Sequence, residues 1–319
     1  MLEAILRPFW VNGLNTIYGS LKMSFIEVCN DTKSYVIYDN IEPQSFILTT
    51  TNHDAFLRGL AFDINRFGCA SIESLNDIHY KPALPKSHAW KCIKCYYSAY
   101  YSAHAMLRVM GISCSHFENN DISSIEKIAD IWGKKGNINI ENGYYKCSIE
   151  PQKIVCSKIS TSGNKGSHEQ LWEVYLKAIE HIIGELTKKG NTEEIQEAIA
   201  KLSDLKNNLI CEGSNGGNWL SRVRNIINYK NTMGLWYPYR TAERYFDHIA
   251  KNIDQWTTDP DSIDLSIYSD KPILRFLSTC MFITTLYTSV AKEMELRCLK
   301  GVSFQTNGVL TFLNLMKSR

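Results

Sequence analysis

The uninterrupted run from Trp90 to Met110, which contains no glycine or proline, restricts the fold of this chain more than any other feature. Gly111 follows directly, at a position where helices commonly end. At 100° per residue the run forms three stripes: one of alanine and methionine, one of small residues, and one of tyrosines with His104 and Arg108. Few positions suit water, so the run predicts a central helix whose small residues admit a close neighbour.

Helical patterns also dominate the C-terminal half of the chain. A capping box at Ser167 and Gln170 predicts the start of one amphipathic helix, and Thr192, followed by two glutamates, predicts the start of a second. Further helices are predicted over residues 219–231, 241–256 and 270–299. We therefore expect a mainly α fold, in which residues 86–319 form an antiparallel helical bundle.

A small α+β segment is predicted to precede this helical domain over residues 1–85. The β-rich runs 24–28 and 34–38, separated by polar residues, predict a hairpin. The sequence Pro82-Ala83-Leu84-Pro85 then interrupts the pattern, and we place the domain boundary there.

A second departure from the helical pattern covers residues 112–166. A short helix is predicted around residues 125–132, and the Asn142-Gly143 step favours a β-hairpin turn. The rest of the segment has no clear period. We interpret it as an irregular β-hairpin insertion between the helices of the bundle.

Composition limits the functions that this chain can have. The 319 residues carry a formal net charge of +2, and 44% of them are hydrophobic. Such a chain supports a packed core, and it is too apolar to be largely disordered. The small net charge also excludes a protein that binds nucleic acid by bulk charge, so any such binding needs a local patch.

The predicted location is the cytoplasm, without membrane attachment. Residues 1–10 carry Glu3 and Arg7 and lack the apolar core of a signal peptide. The most apolar stretch, Ile273 to Val290, includes Arg275 and several hydroxyl residues, and falls short of the roughly 20 apolar residues that span a bilayer. We therefore expect the ten cysteines to be reduced thiols.

Motifs for metal or phosphate chemistry are weak. Cys92 and Cys95 have the spacing of zinc ligands, but no second pair follows at a usual distance, and the segment 114–116 is the nearest complement. Packing at the start of the tyrosine-rich helix is a sufficient reason for the pair. The segments 161–167 and 213–217 lack the spacing of phosphate-binding loops and are predicted to be connectors.

The segment 221–230 contains the strongest candidate site. On a helix its apolar residues share one side, whereas Arg224, Asn225, Asn228 and Tyr229 occupy one contiguous arc. A guanidinium group offers five donors in a planar fork that suits phosphate. Two further cations flank the arc: Arg222 and Lys230. The alternative is an exposed polar helix face, with Arg224 capping a neighbouring helix.

The run Cys95–Leu107 and the helices that follow resemble the HEPN superfamily, over roughly residues 86 to 300. In HEPN ribonucleases a late helix carries an arginine, a polar residue, about three variable positions and then a histidine. Arg224 and Asn225 match the first two positions, and Tyr229 stands where the histidine would be.

This resemblance implies a metal-independent RNA endonuclease without a cofactor, of the kind that acts in growth arrest, antiphage defence or toxin–antitoxin systems. Two protomers would form one composite cleft as a homodimer, with an antitoxin or another defence protein as a further partner. The RNA 2′-hydroxyl would attack the adjacent phosphate, Arg224 would stabilise the phosphate charge, and Asn225 would orient the phosphate or a base. Substrate contacts would come from Arg222, Asn228 and Lys230.

Tyr229 is the main departure from the HEPN pattern, because a phenol keeps its proton at neutral pH whereas an imidazole exchanges it. Neighbouring cations would favour phenolate, and His104 is another candidate to reach the site. The alternative function is a non-catalytic module that binds nucleotide, RNA or a partner protein. A third interpretation places the activity in residues 1–85, where His53 and Asp54 precede Arg58 by one turn.

Overall fold

The computed structural model describes residues 1–18, 21–31, 37–50, 52–75, 88–159, 166–240, 259–266, 271–298 and 308–317. The chain is mainly helical, as predicted, and its described part also contains one antiparallel five-stranded sheet. The helices are α1 (Leu2–Leu6), α2 (Phe25–Asn30), α3 (His53–Glu73), α4 (His88–Val109), α5 (Asn119–Ile131), α6 (Ser167–Lys189), α7 (Glu193–Ile210), α8 (Trp219–Tyr229), α9 (Pro272–Arg297) and α10 (Val309–Lys317). The strands are β1 (Ile37–Glu42), β2 (Ser45–Thr49), β3 (Ile112–Phe117), β4 (Gly143–Glu150) and β5 (Lys153–Lys158).

Two compact units divide the chain. Unit 1 consists of Met1–Pro8, Phe67–Ala103 and Tyr175–Glu293, and unit 2 consists of Phe9–Arg66, His104–Val174 and Met294–Arg319. This division differs from the sequence-based boundary after residue 85, because each unit collects three separate stretches of chain. The predicted boundary at 82–85, the predicted helix 241–256 and most of the segment 161–167 lie outside the described residues.

The predicted small-residue face of α4 forms a close helix contact in unit 1. Ser98 and Ser102 are fully buried, and their hydroxyls lie 3.1 and 2.7 Å from the Ser71 hydroxyl of α3. The Ser98 hydroxyl also lies 3.0 Å from the Thr284 hydroxyl of α9. Small side chains let helix backbones approach closely, and the paired hydroxyls satisfy one another within the core.

The helix ends of unit 1 follow the sequence signals closely. Thr192 caps α7 by accepting a hydrogen bond from the Ile195 amide, at 3.4 Å. Asn208 near the other end of α7 donates to the Leu265 carbonyl and to the Thr279 hydroxyl, at 3.2 and 3.1 Å. A buried amide must find such partners, so Asn208 fixes how α7 packs on α9.

The sheet of unit 2 has the strand order β1-β2-β5-β4-β3, with antiparallel pairing throughout. β2 lies beside β5, with Phe46 opposite Cys156, so strands of the segment 1–85 pair with strands of the segment 112–166. The second segment is therefore not an irregular insertion, because it supplies three strands and a helix to one sheet and its core.

Two local predictions in unit 2 are wrong. Residues 25–30 form a helix rather than a strand, because Ser24 and Glu27 make a reciprocal capping box that stabilises its first turn. Asn142-Gly143 leads into β4 instead of forming a hairpin turn. The turn joins β4 to β5 through Pro151 and Gln152, and Gln152 adopts the left-handed conformation, at φ +65°.

Helix α9 runs through the core of unit 1. By length and composition it is the one helix in the described ranges that could cross a membrane, whereas the sequence pattern predicted it to be too polar to do so. However, 89% of its most apolar window is buried within the protein. Its Thr279, Thr284, Thr285 and Thr288 hydroxyls bond to carbonyls one turn earlier, so buried polar groups do not interrupt the packing.

Candidate nucleic-acid interface

Helix α8 is held in unit 1 by one apolar face. Trp219, Leu220, Val223 and Ile227 are fully buried along this face, as their spacing predicts. The Trp219 ring makes an edge contact with Phe276 of α9, at 6.4 Å between ring centroids. The polar residues of α8 are thereby fixed in direction by the packing beneath them.

Arg224 is buried against the tyrosine-rich helix. Its guanidinium carbon lies 5.3 Å from the Tyr96 ring centroid and 5.7 Å from that of Tyr97, which are cation–π distances. One terminal nitrogen, Nη1, donates to Asn225 Oδ1 at 2.8 Å. The side chain is only 9% exposed, and its Nε has no hydrogen-bond partner within the described residues.

The other residues of the predicted arc lie at different depths. Asn225 and Lys230 are exposed, Asn228 is half-buried, and Tyr229 is 78% exposed at the C-terminal end of α8. The structure therefore brings Arg224 and Asn225 into direct contact and leaves the Tyr229 phenol on the surface.

Arg222 turns away from the arc toward the preceding loop. Its Nη1 donates to the Glu212 carbonyl and to the Ser214 hydroxyl, both at 2.8 Å. The glycine-containing segment 213–217 is thus a connector held by an arginine. Because these hydrogen bonds are made within the protein, Arg222 is less available to a ligand than its place beside the arc predicts.

Aromatic residues that sequence reasoning missed lie beside α8. The Trp236 indole donates to the Ile227 carbonyl at 2.7 Å, which caps the C-terminal end of the helix. Its ring contacts Trp90 of α4 edge to face, at 5.7 Å. Trp90 and Tyr237 are 54% and 74% exposed. The signal in the sequence was the run Leu235–Arg240, which contains three aromatic residues within six positions.

The two chain segments that carry these aromatics are basic. Residues 88–103 and 214–240 contain no aspartate or glutamate. Their cations are Lys91, Lys94, Arg222, Arg224, Lys230 and Arg240. These two segments therefore concentrate positive charge in a chain whose net charge is only +2. We define the aromatic–basic face as Trp90, Asn225, Tyr229, Lys230 and Tyr237.

His104 belongs to a buried polar network in unit 2, whereas Arg224 belongs to unit 1. Its Nδ1 lies 3.2 Å from Nη1 of Arg108, whose Nε pairs with Asp63 at 3.0 Å. Burial and the nearby charges of Arg108 and Arg66 lower the pKa of His104 well below its usual value. The imidazole is therefore neutral at pH 7 and accepts from Arg108 through Nδ1.

The candidate metal ligands are packed as core residues. Cys92 and Cys95 are fully buried in α4, and burial raises the pKa of Cys92 to about 12. Cys114 is also buried, and the His116 ring lies against Tyr144, at 4.6 Å. In the ranges that the structure describes, no three His, Cys, Asp or Glu side chains form a group that could hold a metal ion.

The polar residues at the start of α3 do not form one cluster. Asp54 accepts from Arg58 Nε at 2.6 Å, and the guanidinium of Arg58 lies over the Tyr18 ring, at 5.4 Å. His53 instead lines a pocket of unit 2. The third interpretation places the activity in residues 1–85. Residues of this segment line the pocket, but His53, Asp54 and Arg58 do not form a catalytic group there.

Comparison with known proteins gives no relative. No family model, no curated protein and no solved structure matches the chain.

Proposed function

We propose that this chain binds single-stranded RNA through the aromatic–basic face of unit 1. The observation that carries the proposal is the exposure of three aromatic rings, Trp90, Tyr229 and Tyr237, together with that of Lys230, which follows Tyr229 in the chain. Exposed aromatic rings offer their faces to a ligand, and unstacked bases are a natural partner for them.

The chemistry of the face favours a single strand over a duplex. Every base has a π face that can stack on a tyrosine or tryptophan, whereas a duplex keeps its bases stacked internally. Lys230 supplies a charge for the phosphate backbone, and the exposed Asn225 amide offers a donor and an acceptor for a base edge. No Asp or Glu occurs in residues 88–103 or 214–240 to repel that backbone.

Binding of fluorescently labelled RNA, measured by anisotropy over a range of salt concentrations, tests this function. We expect a labelled single strand to bind more tightly than the same strand in a duplex. Lys230→Glu should reduce the slope of log affinity against log salt by about 0.7 for each phosphate that the lysine no longer neutralises. Lys188→Glu is the matched control, since Lys188 is an exposed lysine that pairs with Glu185. Equal slopes for the two variants would contradict the proposal.

RNA cleavage is a second candidate function, favoured by the contact between Arg224 and Asn225. This pair occupies the first two positions of the HEPN-type motif, and their 2.8 Å hydrogen bond holds the Asn225 amide in one orientation. In such a reaction the RNA 2′-hydroxyl attacks the adjacent phosphorus and loses its proton to water, while the bond to the 5′-oxygen of the next nucleotide breaks and water protonates that oxygen. Arg224 Nη atoms would stabilise the charge that develops on the phosphate. The exposed Tyr229 phenol would donate a hydrogen bond to the strand rather than act as the base.

Incubation of single-stranded RNA with the protein in EDTA tests cleavage separately from binding. We expect products that end in a 2′,3′-cyclic phosphate, and none from a strand that carries 2′-deoxy sugars. Asn225→Ala should lower the cleavage rate while leaving most of the RNA affinity. Binding without cleavage would contradict the proposed nuclease activity and would support a non-catalytic RNA-binding function.

The proposed nuclease also implies a homodimer, because HEPN-type cleavage uses a cleft shared by two protomers. Light scattering measures the mass of the protein in solution, and a dimer mass is the expected result. In that case, mixing Arg224→Ala protomers with wild-type protomers should lower activity more than dilution alone. An antitoxin or another defence protein would be a further partner, and the cytoplasm the expected location.

A further inference from the structure

A pocket of about 590 Å³ lies in unit 2. Four parts of the chain line it: the segment 9–13, the start of α3, Met110 after α4, and the end of β4 with the turn to β5. Phe9, Leu57, Met110 and Ile149 give it a largely apolar lining. Its volume lies within the range of about 300–1,000 Å³ that is usual for small-molecule sites.

Backbone contacts fix the walls of this pocket. The Val11 amide donates to the Val109 carbonyl at 2.8 Å, and the Thr50 amide donates to the Gln152 carbonyl at 3.1 Å. The lining residue Gly13 has a φ of +88°, and a Cβ there would approach Leu57 to 2.9 Å. Gly13 therefore lets the segment 9–13 pack closely on Leu57 of α3, and walls held by such packing and by backbone hydrogen bonds indicate a preformed cavity.

Two lining residues carry buried polar atoms that lack partners. Trp10 Nε1 and His53 Nδ1 have no hydrogen-bond partner within the described residues. An indole N–H that is buried without an acceptor loses its hydrogen bonds to water, so native proteins rarely leave one. A ligand in the adjoining pocket can supply the acceptor for the indole and a partner for the imidazole.

The charges around the pocket favour an uncharged ligand. In the described part of the chain no lysine or arginine lines the pocket, so no cation there would neutralise a phosphate or a carboxylate. The acidic lining residue, Glu150, pairs with Lys153 at 2.9 Å, which already satisfies its charge and disfavours a cationic ligand. The amides of Asn12 and Gln152 add uncharged polar groups to the lining.

We propose that this pocket binds an uncharged nucleoside. The apolar and aromatic lining suits a flat base, the indole N–H of Trp10 suits an acceptor on its edge, and the amides of Asn12 and Gln152 suit ribose hydroxyls. This inference is independent of the RNA-binding proposal, because no residue of the aromatic–basic face lines the pocket.

Calorimetric titration of the full-length protein with adenosine, guanosine, cytidine and uridine, and with their 5′-monophosphates, tests the inference. We expect at least one nucleoside to bind saturably, and about tenfold more tightly than its monophosphate, whose charge the lining does not neutralise. Absence of nucleoside binding at millimolar concentration, or equal binding of the monophosphate, would overturn the proposal.

Two substitutions assign the binding to the pocket. Trp10→Phe keeps an aromatic ring and removes the N–H, and should weaken the nucleoside about fivefold. His53→Ala removes the imidazole and should also weaken it. Trp132→Phe is the matched control, since Trp132 is 49% exposed and does not line the pocket. Unchanged affinity in both pocket variants, with their melting temperatures preserved, would also overturn the proposal.

Discussion

The guanidinium of Arg224 lies over the ring of Tyr96, with its carbon 5.3 Å from the ring centroid. This contact joins two segments that the sequence patterns indicated separately, the tyrosine-rich helix α4 and the polar helix α8. Arg224 is therefore part of a packed interface as well as a candidate binding residue. Its Asn225 partner and the exposed Tyr229 are the groups that α8 presents to a ligand.

A double-mutant cycle measures the energy of this contact. Arg224→Met and Tyr96→Leu should each destabilise the protein, and their combined effect should differ from the sum by about 0.5–2 kcal/mol, because each single change already removes the shared cation–π contact. Urea denaturation gives the four free energies of unfolding. Arg222→Met, at an exposed position of the same helix, should show no coupling with Tyr96→Leu. Additive effects for Arg224 would contradict the structure.

Gly68 in α3 marks the closest approach of a neighbouring side chain in unit 1. A Cβ at this position would overlap the Tyr287 hydroxyl and lie 2.9 Å from Tyr287 Cζ. Gly68→Ala should therefore cost about 1–3 kcal/mol of unfolding free energy, although alanine has the higher helix propensity. Adding Tyr287→Phe should recover part of the loss, since it removes the overlapping hydroxyl. Gly184→Ala in α6 is the control. A Cβ at Gly184 meets open space, so this change should stabilise the protein.

His104 makes the free energy of unfolding depend on pH. Burial lowers its pKa well below 6.5 in the folded protein, and the charge of Arg108 lowers it further. As the pH falls through about 6.5, the unfolded chain takes up a proton that the folded chain excludes. The free energy of unfolding should therefore have its full value above this pH. At lower pH it should decrease, by up to about 1.4 kcal/mol per pH unit.

Urea denaturation of His104→Asn between neutral and mildly acidic pH checks this assignment. The variant should lose stability less steeply on acidification than the wild type. His181→Gln, which changes an exposed histidine of α6, serves as the control. If His104→Asn and the wild type show the same slope, the buried neutral imidazole is not the source of the pH dependence.

Burial should also protect the Cys92-Cys95 pair from alkylation. It raises the pKa of Cys92 to about 12 and that of Cys95 well above its usual value, and a thiol that holds its proton is a poor nucleophile. Iodoacetamide at mildly alkaline pH should modify the half-buried Cys69 and Cys211 first. Mass spectrometry of peptides locates the modified residues. Rapid labelling of Cys92 in the folded protein would contradict its buried position.

Local sequence signals predicted the described helices α4, α7, α8 and α9 well, because their caps and apolar periods are encoded within a few residues. Thr192 and Gly111 mark helix ends in the sequence and in the structure. The small-residue face at Ser98 and Ser102 correctly indicated a close helix contact. The pattern behind each of these predictions lies within a few residues of chain.

The sheet and the surroundings of Arg224 depend on neighbours that are distant in the chain, and sequence reasoning failed there. Pairing of Phe46 with Cys156 spans more than a hundred residues, and no local pattern encodes it. Arg224 lies at the edge of the apolar stripe, four residues after Leu220 and three before Ile227, and this spacing does not show which neighbour covers it. Only the position of α4 shows that Tyr96 and Tyr97 cover it.

The affinity of labelled single-stranded RNA for a variant that lacks two rings of the aromatic–basic face decides whether this face binds RNA. Trp90→Ala combined with Tyr229→Ala should weaken binding by about 1–3 kcal/mol for each ring that stacks on a base, which is at least about fivefold. The matched control is Trp132→Ala combined with Tyr18→Ala, which removes two exposed rings from unit 2. The account predicts wild-type affinity for the control. Equal affinity of both double variants would contradict it.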